Sequence, residues 1–204
     1  MSDEQVDRTQ GPFDIAEVPG DRLEGMLDLG GLLIPTSPGV EVQVQVDEQS
    51  GRLTGVTLVC GSAAVQVQGF AAPKTSGIWS EVRASIRGSI GSGGGVVDEA
   101  EGEFGPELRA RVPQGGGGLQ PARFVGVDGP RWFLRGVFLG AASGASGTPA
   151  TTAAFRSVVV RRGTDPMAPG DPLPLVLPDS SAPKGPVAPT LNPFVRGPEI
   201  TEIR

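Results

Sequence analysis

A chain of 204 residues that is 38% hydrophobic, with 32 Gly and 20 Pro making a quarter of its positions, fits one domain plus tails. It has no His and no Tyr, which excludes His-dependent triads, His general bases and His metal ligands; Asp/Glu acid–base work or an Asp/Glu-bound hard cation is the chemistry left to an enzyme. The net charge of −6 disfavours strong non-specific nucleic-acid binding by the whole chain, but it is uneven: residues 1–50 hold eleven acids against two bases, and residues 120–162 hold six arginines against one acid.

There is no run of eighteen apolar residues, and Met1–Gln5 is acidic with no apolar stretch behind it, so neither a membrane span nor a signal peptide is expected. The single Cys60 cannot form an internal disulfide, which fits a reducing cytoplasm.

In chain order, residues 1–20 read as an acidic, mostly disordered tail in which Phe13 and Ile15 are available for local docking. Arg22 to Pro35 reads as a first strand. From Val40 to Asp47 valines alternate with Glu41, Gln43 and Gln45, the pattern of a strand with one buried and one wet face. Leu53–Cys60 and Ala63–Phe70 follow after the turns Gln49-Ser50-Gly51 and Gly61-Ser62, too short for crossovers, which makes an antiparallel meander.

Ser76 is then a candidate N-cap for an amphipathic helix over 77–90, where Ile78, Val82, Ile86 and Ile90 recur every fourth residue and Trp79 plugs the core. Asp98, Glu99, Glu101 and Glu103 form an acidic run without EF-hand spacing, read as a solvated edge. Beyond it Leu108, Ala110 and Val112 face inward, with Glu107, Arg109 and Arg111 outward. The glycine run 115–118 lacks a following Lys-Ser/Thr, and Gly91–Gly95 follows a helix rather than preceding one, so neither cradles a phosphate.

The organising stretch is Arg123–Gly140. Two apolar runs flank Asp128-Gly129-Pro130, and Trp132, Phe124, Phe133 and Phe138 all fall here. The second run is apolar on both alternate sets, as in a strand buried on two faces, which places it at the middle of the main sheet. With a three-residue loop, Arg123 faces Arg135. Like charges so placed cost about 0.2–1 kcal/mol and call for a carboxylate, from Glu107 or the acids at 98–103, or for an anionic ligand; a two-residue turn would remove the juxtaposition. Arg109, Arg111, Arg123, Arg131 and Arg135 are therefore the candidate anion or nucleic-acid contacts. Residues 151–156 read as a helical turn or two and 158–162 as a last strand. Prolines from Pro166 onward forbid further sheet, although Leu173, Leu175 and Leu177 can lie along the domain. The domain boundaries are set at 21–177, with a Pro-rich disordered tail over 178–204.

Phe70-Ala71-Ala72-Pro73 before Trp79-Ser80-Glu81-Val82-Arg83, Phe104-Gly105-Pro106-Glu107-Leu108-Arg109-Ala110-Arg111-Val112-Pro113, Arg123 through Gly136, and Asp165-Pro166-Met167-Ala168-Pro169 together resemble an actinobacterial family, the domain of unknown function 3710. The resemblance runs from about Gly11 to Leu177. It implies a cytoplasmic actinobacterial protein and brings no assigned activity, cofactor or catalytic residue.

The expected fold is α+β: a mostly antiparallel sheet of about seven or eight strands, one main amphipathic helix on one face, and the other face at least partly wet. The leading expectation for function is a non-catalytic protein-binding or adaptor domain with an unidentified partner, a second copy of the chain through a sheet edge or face included. No catalytic residue, metal ligand, cofactor or membrane contact is assigned. The alternatives are nucleic-acid or nucleotide binding on an arginine-bearing sheet with Trp132 or Phe133 stacking, and an Asp/Glu metal-dependent hydrolase using Asp98, Glu99, Glu101 and Glu103. Cys60 is read as a buried structural thiol.

Overall fold

The computed structural model describes residues 8–47, 51–115, 117–144 and 147–177. Its N-terminal part supplies β1 (Phe13–Asp14), the short helix α1 (Gly20–Leu23), β2 (Leu27–Asp28) and β3 (Leu32–Ile34). Strands β4 (Glu41–Val46), β5 (Leu53–Cys60) and β6 (Ala63–Ala71) form the expected antiparallel meander. Helix α2 (Trp79–Ser92) leads into β7 (Val96–Gly102), β8 (Gly105–Pro113), β9 (Leu119–Gly129) and β10 (Trp132–Gly140); α3 (Pro149–Arg156) and β11 (Val159–Val160) follow.

Seven of these strands make one antiparallel sheet in the order β4-β5-β6-β10-β9-β8-β7. The apolar run of β10 is thus the central strand. A second sheet, ordered β1-β11-β3-β2, takes the segment expected as one first strand and the one expected as the last.

The two faces of β10 explain its composition. Trp132, Leu134 and Phe138 pack with Val125, Val127, Val56, Leu58 and Val65 against Leu32 and Ile34 of the second sheet, Phe155 of α3, and Leu173. Phe133 packs on the opposite face with Phe124, Leu108 and Ala110 beneath Trp79, Ile86 and Ile90 of α2. The face expected to be partly wet is therefore covered over its centre. Leu173 reaches it in an extended segment, its N–H donating to Gly69 O at 2.9 Å.

The hairpin turn differs from expectation. Trp132 pairs with Gly129 and Phe138 with Arg123, so the loop is Pro130-Arg131 alone, with Arg131 at φ +64°. Arg123 thus meets Phe138 instead of Arg135, three positions on. An odd shift exchanges faces, so Arg123 and Arg135 lie on opposite sides of the sheet.

Helix α2 also starts differently. Ile78 occupies the N-cap position, and the carboxylate of Asp128 on β9 accepts from Ile78 N–H at 2.9 Å and Trp79 N–H at 3.3 Å. A strand carboxylate thus does the work expected of Ser76, satisfying orphan donors at the positive end of the helix. Just beyond, Trp79 stacks on Phe133 with ring centroids 5.7 Å apart and donates Nε1–H to Pro106 O at 2.7 Å. Gly126 of β9 makes this possible, because a Cβ there would run into the Trp79 ring.

The folded part begins before the expected boundary at residue 21. β1 pairs in parallel with β11, and Asp14 caps the 3-10 turn Ile15–Glu17 while accepting Trp132 Nε1–H at 2.7 Å. Arg8 lies 5.4 Å over the Trp132 ring and pairs with Glu17. Residues 1–7, Gln49, Ser50 and the expected tail 178–204 lie outside the described residues. Among the described residues no helix is long and apolar enough to cross a membrane.

Candidate functional site

The five arginines singled out in the sequence do not form one cluster. Arg123 is 0% exposed and donates from Nη1 to Glu107 Oε2 at 3.2 Å; Glu107, also 0% exposed, accepts Arg109 Nε–H at 2.9 Å on its other oxygen. Glu107, expected to face outward, is thus a buried acceptor between two cations. The Arg123 guanidinium also lies 4.3 Å from the Phe138 ring centroid. Arg111 is exposed on β8, and Arg131 sits in the hairpin turn. Arg135 is on the α2 side, apart from all four. Trp132 and Phe133, expected to stack on bases, are both 0% exposed and belong to the two cores.

The acidic run is divided by the alternation of β7. Glu99 faces α2, pairing with Arg87 at 3.0 Å and Arg83 at 3.8 Å, whereas Asp98 lies opposite Arg109 on the other side. Glu103 holds Arg156 at 3.4 Å and accepts from Thr152 at 2.9 Å. Among the described residues no three Asp, Glu or Cys side chains converge to hold a metal ion. Cys60 is half-buried at the end of β5 rather than fully enclosed, and burial pushes its thiol pKa up. A shallow concavity of about 210 Å³ opens beside the second sheet between Phe13, Arg22, Met26, Pro35, Thr36 and Val159.

The surface that remains is the other half of the α2 face. Helix α2 packs mainly over β7, β8 and β9, and the core beneath it reaches Val137 and Leu139 of β10 and Phe70 of β6; beyond these lie the α2-side residues of β4, β5 and the rest of β6. Register builds rows across them. Glu41 lies opposite Val59, Val59 opposite Ala64, and Ala64 opposite Leu139; Gln43 lies opposite Thr57, Thr57 opposite Gln66, and Gln66 opposite Val137. Gln68 lies opposite Arg135. Apart from exposed Glu41 and buried Thr57, these side chains are half-buried. Their amides are directed: Gln45 Nε2 donates to Thr57 Oγ1 at 3.1 Å, and Gln68 Nε2 donates to Thr54 O at 2.8 Å.

Arg135 stands at the edge of this surface nearest α2. Its Nη2 donates to Gln68 Oε1 at 2.5 Å, and its guanidinium lies 5.3 Å from the Phe70 ring centroid. Its Nε is buried without a hydrogen-bond partner. Burial pulls its pKa below the usual arginine value. The alternation of valine with glutamine already marked β4 and β6 as having a polar side; the extent of α2's coverage, which leaves that side open, was not readable from the pattern.

No curated protein and no solved structure gives a significant match to the chain. The profile of one family, described as "Protein of unknown function (DUF3710)", matches residues 11–184. The chain, matched over most of its length, belongs to that family.

Proposed function

We propose that the domain is a non-catalytic binding module of the cytoplasm that seats a protein partner on the open half of the α2 face. The observation behind this reading is a sheet surface built from half-buried Gln43, Val59 and Gln66 around buried Thr57, bordered by Val137 and Leu139, which pack against the core beneath α2. Its mixed character supports a protein occupant. Apolar Val59, Val137 and Leu139 offer burial, and the amides offer hydrogen bonds that fix orientation. The α2 helix bounds the surface on one side, and the outer edge of β4 borders it on the other. Nucleic acid is not the occupant proposed, since the aromatic pair that would stack on bases lies in the core.

The test is site-specific photocrosslinking in the native host from Gln66, with Ser85 on the outer side of α2 as the control position. The captured protein is then purified and titrated against Val59→Lys and Val137→Lys. Crosslinking from Gln66 alone, with affinity lowered about tenfold or more by each lysine, is the expected result. Equal crosslinking from Ser85, or unchanged affinity in both variants, would reject the reading.

A further inference from the structure

We infer that Arg135 and Gln66 form a binding site for a carboxylate, supplied by the ligand that occupies the open half of the α2 face; this rests on the reading above and names the chemistry of what is bound.

The charge accounting of the molecule singles out Arg135. Arg123 and Arg109 share Glu107, Arg83 and Arg87 share Glu99, Arg156 has Glu103, Arg161 has Asp28, and Arg8 has Glu17. Arg162, also enclosed and without a carboxylate, donates to the carbonyl of Asp165 three residues on. Arg135 is largely enclosed, yet among the described residues it has no carboxylate within 4 Å and a single hydrogen bond, to Gln68. Burying a cation without a counter-charge is costly, and here it is done beside an open surface, where an incoming anion can complete the set.

The donors suit a carboxylate. The Phe70 ring, 5.3 Å away, and the bond to Gln68 position the guanidinium, and its buried Nε–H has no hydrogen-bond partner. Gln66 lies two positions along β6 from Gln68, opposite Val137, and its amide has no hydrogen bond among the described residues. One planar cation and one amide match a planar monoanion, in which the guanidinium takes the carboxylate and the amide donates to it from the side. A phosphate would bring more charge than this single cation neutralises. A free organic acid and an Asp or Glu side chain on a protein partner present the same group.

The experiment follows the Arg135 Nε–H resonance by NMR in the full-length protein. Four probes are titrated: acetate, inorganic phosphate, an extended eight-residue peptide with one central glutamate, and the same peptide with glutamine there. Chloride matches ionic strength. The expected result is a saturable downfield shift with the glutamate peptide that is weakened about tenfold or more in the glutamine peptide, lost in Arg135→Gln and reduced in Gln66→Ala. Acetate giving the same shift at millimolar concentration identifies the free acid as sufficient; a response to the peptide alone identifies a partner side chain as the source, and either outcome supports the site. No shift with any carboxylate, a stronger response to phosphate than to acetate, or equal shifts from both peptides overturns it. If Arg135→Gln does not fold, Gln66→Ala and the wild-type probe series carry the same decision. Should a captured partner keep full affinity for Arg135→Gln while losing it for Val137→Lys, the carboxylate site fails and the binding face stands; if neither variant changes affinity, both fail.

Discussion

Replacing Glu107 by Gln should destabilise the domain by about 3–5 kcal/mol, because it breaks a buried ion pair by removing one partner. The magnitude rests on Arg123. Its guanidinium is 0% exposed, and Nε and Nη2 already lack hydrogen-bond partners, so it cannot recover the loss in water. The Phe138 face at 4.3 Å is what remains, worth about 2 kcal/mol in a desolvated site and too little to replace the carboxylate. Arg109, with a side chain 37% exposed, can turn to solvent, so Arg109→Ala should cost only about 0–1 kcal/mol. The double variant Glu107→Leu/Arg123→Met should recover part of the single-site loss, because no charge is then left stranded. Urea unfolding followed by tryptophan fluorescence gives each value at unchanged m. About 1 M salt, where the Debye length is about 3 Å, should leave the Glu107→Gln penalty nearly intact. A penalty below about 1 kcal/mol, the value of an exposed pair, would refute the reasoning.

Three further outcomes are expected. Asp128→Ala should cost about 1–2 kcal/mol by uncapping α2, while Ser76→Ala should be near neutral; equal losses in urea unfolding would contradict the cross-strand cap. Gly126→Ala should cost about 1–3 kcal/mol and red-shift tryptophan emission as the Trp79 ring is displaced; an unchanged spectrum and midpoint would mean the ring has room to spare. At Asp28, burial raises the carboxyl pKa, but the Gly30 N–H and Arg161 outweigh it and hold the group below 3.8. Because the folded value is depressed, its contribution is present above the unfolded value, about 4, and is lost as pH falls through the folded one. Arg161→Ala should therefore shrink the acid loss slightly, since both groups are partly exposed; an unfolding midpoint whose pH profile ignores the substitution would show that the pair is not coupled.

The sequence carried the sheet well where local patterning sufficed. Two-sided apolarity put β10 at the centre, and the Val/Gln alternation gave β4 its faces. The turn failed because Asp128-Gly129-Pro130 is a strong loop signal, yet the chain keeps Asp128 and Gly129 in the strand and lets Arg131, a residue seldom found at positive φ, make the turn. Once the register slid, the arginines exchanged faces and the expected Arg123–Arg135 pairing disappeared. Glu107 is one of the carboxylates expected to answer Arg123, and it does so across the neighbouring strand, sixteen residues away; what its alternation hides is that it faces inward to do it. The Asp128 cap spans 50 residues and the Asp14–Trp132 bond spans 118, so residues 8–20 read as tail until the second sheet was in place. The candidate face was legible as polar strand sides; that it stays uncovered depends on how far α2 reaches, a tertiary fact.

The most direct measurement is methyl NMR of Val59, Val137 and Leu139 in the presence of the purified partner. Intermolecular contacts and shift changes at these three side chains, with Ala84 on the outer side of α2 unaffected, are what a partner seated between α2 and β4 would produce. Changes confined to Ala84 or to Val176 and Leu177, while Val59, Val137 and Leu139 keep their free-state signals, would contradict it.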